Sequence, residues 1–117
     1  MASLAYERAR GLRELTAREL EQLAGCYEQL SKWQDAANSY ADALEFESEN
    51  SSLLVALGRA RLGACEPKGA VPPLEKARRL DENHPEVDGL LAQGYAASGN
   101  HQQAILAAER QLKRRLE

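Results

Sequence analysis

Residues 17–50 read ARELEQLAGCYEQLSKWQDAANSYADALEFESEN, residues 51–84 read SSLLVALGRARLGACEPKGAVPPLEKARRLDENH, and residues 85–117 read PEVDGLLAQGYAASGNHQQAILAAERQLKRRLE. Laid one under another, the three segments align over 34, 34 and 33 residues with no insertion. Position seven is Leu23, Leu57 and Leu91; position eight is Ala24, Gly58 and Ala92; position twenty is Ala36, Ala70 and Ala104. Self-similarity at such a period means stacked supersecondary units, each unable to bury its apolar face alone. Small residues recur where helix axes must approach closely.

The remaining positions carry the pattern further. Position eleven is Tyr27, Arg61 and Tyr95, position twenty-four is Tyr40, Leu74 and Ala108, and position twenty-seven is Ala43, Ala77 and Gln111. Position four is Leu20 and Leu54 but, in departure, Asp88. Three ungapped copies of this signature resemble the tetratricopeptide repeat over the whole chain. The resemblance implies an all-α fold, an α-α superhelix (TPR solenoid) of about seven antiparallel helices. These would be three helix-turn-helix repeats, 17–50, 51–84 and 85–117, preceded by an N-terminal helix over 1–16. Run backwards, the register puts Ala2 at position twenty, Tyr6 at twenty-four and Ala9 at twenty-seven. Residues 1–16 therefore read as half a repeat, either cut from a longer array or serving as a cap.

Composition agrees with helices throughout. Aromatic residues make up 5% of the chain, Val occurs three times and Ile once, so the residues that favour sheets are scarce. Ala, Leu, Glu, Arg and Gln, which favour helices, abound. The net charge of −3 argues against nucleic acid, whose binding needs a basic face. It is unevenly spread: residues 1–50 hold ten acids and five bases, and residues 51–117 hold eight acids and ten bases. No apolar run approaches the length of a membrane span, so membrane insertion is not expected, and the lack of a secretory signal places the chain by default in the cytoplasm. A parent protein, if longer, could carry its own address.

Cys26 and Cys65 are too few for a disulfide framework and are expected to be buried as small apolar residues. His84 and His101 lie in turn-like sequence without companion ligands, so no metal and no cofactor is expected. Neither a Gly-rich phosphate loop nor a nucleophile with a nearby base is present, and the chain reads as no enzyme. Locally, Pro85 is expected at the first position of a helix and Gly99 as a left-handed cap. Pro72-Pro73 should make the second helix of the middle unit start late or kink.

In tetratricopeptide proteins the first helix of each pair lines the concave side, so the resemblance assigns a groove to positions two, five, nine and twelve. These are Arg18, Glu21, Gly25 and Glu28; Ser52, Val55, Arg59 and Leu62; and Glu86, Gly89, Gln93 and Ala96. Gly25, Gly89 and Ala96 would leave room for a peptide or helix, Val55 and Leu62 would form an apolar floor, and Arg59 would offer a central cation unless it merely pairs with Glu21 or Glu28. Chaperone-binding members of the family clamp a terminal carboxylate with Lys, Asn and Arg. Glu21, Gly25, Ala56, Glu86 and Leu90 stand at those positions here, so binding to heat-shock chaperone tails is not expected. The expected function is a protein–protein interaction scaffold for a partner of unknown identity. The alternatives are a homo-oligomer stacking through exposed terminal helices, or a secretion or assembly chaperone.

Overall fold

The computed structural model describes residues 16–116. The N-terminal helix expected over 1–16 falls almost wholly outside the described residues. Six α-helices follow: α1 (Ala17–Gln29), α2 (Trp33–Phe46), α3 (Ser51–Gly63), α4 (Pro67–Leu80), α5 (Val87–Ala97) and α6 (His101–Leu116). No strand occurs among the described residues. Each helix packs on its sequence neighbours, and the molecule extends over 48 × 24 × 20 Å, the elongated outline of stacked helix pairs.

Helix starts are set by short polar side chains. Thr16 and Glu19 form a reciprocal capping box on α1: the Glu19 amide donates to Thr16 Oγ1 at 3.1 Å and the Thr16 amide to Glu19 Oε1 at 3.2 Å. Asn50 Oδ1 accepts from the Leu53 amide at 3.1 Å to start α3. α5 begins at Val87, two residues beyond the expected Pro85, because the Glu86 amide donates to His84 Nδ1 at 3.2 Å and holds Pro85-Glu86 in a turn.

Within each pair, the helix-to-helix turn passes through position fifteen in the left-handed region: Ser31 at φ 57°, Cys65 at φ 63° and Gly99 at φ 87°. Only the third unit has the residue that tolerates this conformation without strain. Ser31→Gly and Cys65→Gly are each expected to stabilise the fold by about 1 kcal/mol, read as a rise in the denaturant midpoint. This geometry also corrects the expectation for the cysteines: Cys26 and Cys65 are both exposed, Cys65 because it sits on the turn itself.

α4 departs from expectation as well. It starts at Pro67 and runs through Pro72 and Pro73 to Leu80, so it does not start late. Pro67 occupies the first turn, where a missing N–H costs nothing. Pro73 cannot donate to the Gly69 carbonyl one turn back, and Arg61 of α3 takes over that acceptor, its Nη1 donating at 2.9 Å. The helix therefore keeps the Gly69 carbonyl satisfied through a neighbouring side chain.

The core has two parts with α3 as the wall between them. Leu20, Ala24, Tyr27, Ala36, Tyr40 and Ala43 pack against Leu53, Ala56, Leu57 and Ala60. On its other side α3 gives Leu54 and Val55 to a cluster with Ala70, Leu74, Ala77, Val87, Leu91, Tyr95 and Ala107. A helix covered on both sides is apolar nearly all round, as SSLLVALGRARLG is. Small residues set the spacing: a Cβ on Gly58 would stand 2.4 Å from Leu74 Cγ, and one on Gly63 2.4 Å from the Trp33 ring.

Candidate functional site

Arg59 stands at the middle of α3 and joins three helices. Its Nη2 lies 3.2 Å from Glu28 Oε1 of α1, and its Nη1 lies 3.4 Å from Glu86 Oε2 at the start of α5. Its Nε also donates to Glu28 at 3.2 Å. Of the two acids named as alternative partners for Arg59, Glu28 is paired with it, and the bridge also reaches Glu86, so it spans both flanking helices. Burial disfavours the charge on Arg59, but the adjoining Glu28 and Glu86 carboxylates and Tyr40 outweigh it, and the guanidinium pKa is raised. Burial likewise raises the Tyr40 hydroxyl pKa, helped by Glu28 and opposed by Arg59.

Beside this bridge lies a pocket of about 240 Å³, lined by Glu21, Ser52, Val55, Arg59 and Glu86 together with Tyr40 and His84. Five of the twelve residues assigned to the groove thus share one cavity. Tyr40 and His84 were not among the twelve: Tyr40 stands at position twenty-four, on α2, and packs in the first core cluster, and His84 lies in the turn before α5. The signal that could have found His84 is its position as the last residue of the middle unit, two residues before the groove residue Glu86.

The other assigned residues divide by burial. Arg18, Gln93 and Ala96 are exposed, and Gly25 faces open space, with nothing within 4 Å of a Cβ placed there. Gln111 of α6 borders Gly89, where a Cβ would meet its Nε2 at 2.8 Å, and the two line an open pocket with Glu86 and Gln93. Val55 and Leu62 do not form an open floor. Val55 is 2% exposed within the second core cluster, with an edge on the pocket, and the half-buried Leu62 packs against the same cluster. Both belong to the wall helix, whose apolar residues are consumed by stacking. The accessible face is consequently polar, with Glu21, Glu28 and Glu86 around one arginine.

A second polar assembly lies at position four of the third unit, where Asp88 replaces leucine. Asp88 is 1% exposed in the first turn of α5. Its Oδ1 is 3.1 Å from Arg110 Nε and 3.7 Å from Arg78 Nε, and its Oδ2 is 3.2 Å from Arg114 Nη2. Arg114 also donates to the carbonyls of His84, at 2.8 Å, and Glu82. Close by, Tyr95 donates to Glu75 Oε2 at 2.7 Å, and burial together with that bond pushes its pKa up to about 12. No group of three or more His, Cys, Asp and Glu side chains suited to a metal occurs among the described residues. No helix among them is long and apolar enough to cross a membrane.

This architecture, three helix pairs stacked with their first helices on one side, is that of a tetratricopeptide-type superhelix. Solved structures of MamA have the same fold. One superposes with a TM-score of 0.83 at 22% identity, covering 93% of this chain and 64% of its own. MamA of AMB-1 gives 0.82 at 20% identity over 92% of this chain and 58% of its own, and a MamA point mutant gives 0.82 at 20% over 92% and 59%. The chain thus spans about three fifths of the length of these MamA structures. No family model matches the sequence, and no curated protein does.

Proposed function

We propose that this chain is a protein-interaction scaffold that holds a segment of a partner protein, extended or helical, against the concave face formed by α1, α3 and α5. The carrying observation is the pocket beside Arg59, which draws residues from all three helix pairs onto one open surface. Main-chain groups of an extended segment would find Ser52, Tyr40 and His84 as polar partners there, and cationic side chains would find Glu21 and Glu86. The fold class supports the reading, since stacked helix pairs offer long exposed inner faces that small ligands do not need.

The test uses exposed positions only, so that stability is untouched. Ser52→Arg with Gln93→Arg would fill the face without entering the core, since both side chains are exposed. In a pull-down from the source cells, the double variant should lose the partners retained by the parent, at least tenfold by recovery. The same partners recovered at parental yield would rule out this face.

One observation favours a second reading, self-association through the terminal helix. Ile105, Leu106, Leu112 and Leu116 of α6 are 58%, 51%, 58% and 79% exposed, and 105, 112 and 116 share one side at helical spacing. Light scattering over a concentration series distinguishes the two: growth in mass abolished by Leu112→Lys supports stacking, and an invariant monomer mass excludes it.

A further inference from the structure

The arginines around Asp88 outnumber the charge they neutralise. Arg78 of α4 and Arg110 and Arg114 of α6 converge on a single buried carboxylate, so one negative charge faces three positive ones. Arg114 pairs with Asp88 and donates to two carbonyls. Arg78 and Arg110 instead approach Asp88 through Nε, leaving their terminal amino groups for other acceptors. Directly beside them opens a pocket of about 330 Å³ lined by Arg78, Glu82, Asn83, Arg110, Lys113 and Arg114. Four cations and one carboxylate line this cavity in a chain whose net charge is −3.

We infer that this pocket, formed by α4, the turn before α5 and the last turns of α6, is a binding site for a phosphoryl oxyanion. Half-exposed arginines held in place by the buried Asp88 present preformed donors, and a tetrahedral anion with several oxygens accepts from more than one guanidinium at once. Mutual repulsion among Arg78, Arg110 and Arg114 is only partly relieved by Asp88, and an incoming anion relieves the remainder. Lys113 adds a cation that does not reach Asp88, so it has no part in neutralising the buried acid. Glu82 is the one lining group that opposes an anion. Free phosphate and a phosphorylated side chain share this chemistry. The two pockets share the turn before α5, since Arg114 of this one donates to the His84 carbonyl and His84 lines the pocket beside Arg59.

Binding is read from amide chemical shifts of Asn83, Arg110 and Lys113 as inorganic phosphate is added at constant ionic strength, with phosphoserine peptide as a second arm and acetate as a control. The expected result is a saturable shift with phosphate that acetate does not reproduce. Lys113→Gln should weaken it about threefold or more, and Glu82→Gln should strengthen it by a similar factor. Neither change touches the Asp88 cage, so both variants should keep the parental melting temperature. A phosphoserine peptide binding tighter than phosphate assigns the site to a modified protein, and the reverse order assigns it to the free ion. Absence of a saturable shift, or equal affinity in parent, Lys113→Gln and Glu82→Gln, would overturn the inference.

Discussion

Exchanging Arg110 and Arg114 together for glutamine is expected to destabilise the protein by about 3 kcal/mol. Both guanidiniums are about one third exposed, but the group they serve is not: Asp88 is 1% exposed. Removing two of its three partners leaves a carboxylate with only the more distant Arg78, at 3.7 Å, and the low local dielectric makes an unpaired buried charge expensive. The carbonyls of Glu82 and His84 lose their donor as well, which loosens the turn before α5 from α6. A third substitution separates this account from simple loss of helix contacts. Asp88→Leu restores the residue type of Leu20 and Leu54 at position four, and combined with the two glutamines it should recover most of the lost stability. Equilibrium urea unfolding of the single, double and triple variants measures the coupling. Additive losses, with the triple variant weakest of all, would contradict it.

Leu74→Ala is expected to cost about 3 kcal/mol, for a different reason. Leu74 is 0% exposed and lies over Gly58, where α3 and α4 come closest. Its removal leaves a cavity flanked by the fully buried Ala70 and Ala77, side chains too small to fill it. Gly58→Ala alone should also destabilise, by about 1–2 kcal/mol, because its Cβ would sit 2.4–2.9 Å from three Leu74 carbons. That loss appears despite the helix-propensity gain of about 1 kcal/mol that alanine brings in a helix interior. Together the two changes should cost less than their sum, the new methyl occupying part of the space left by the leucine. Gly25→Ala, which meets nothing, supplies the opposite sign: stabilisation by roughly 0.5–1 kcal/mol. Thermal unfolding of the four variants checks the series, and a neutral Gly58→Ala would mean that the two helices are not held at this spacing.

Composition determined the all-α class, and the 34-residue period with its small residues at positions eight and twenty marked stacked units whose helices approach closely, the pattern that resembles the tetratricopeptide repeat. The sequence also placed the left-handed cap at Gly99. Those are local consequences of spacing, and spacing is written in the chain. What the tertiary structure decided is where side chains from different units compete for the same room. Val55 sits at a groove position by register yet is taken into the core because α3 is covered on both sides. Gly89 is bordered by Gln111, twenty-two residues further along the chain. Pro73 is tolerated within α4 because Arg61 of another helix takes its lost partner at Gly69. Asp88 breaks the pattern in sequence and reads as a defect. Only the approach of α4 and α6 shows it as a buried charge compensated by three arginines, because pairing energy depends on distances between segments that periodicity does not encode.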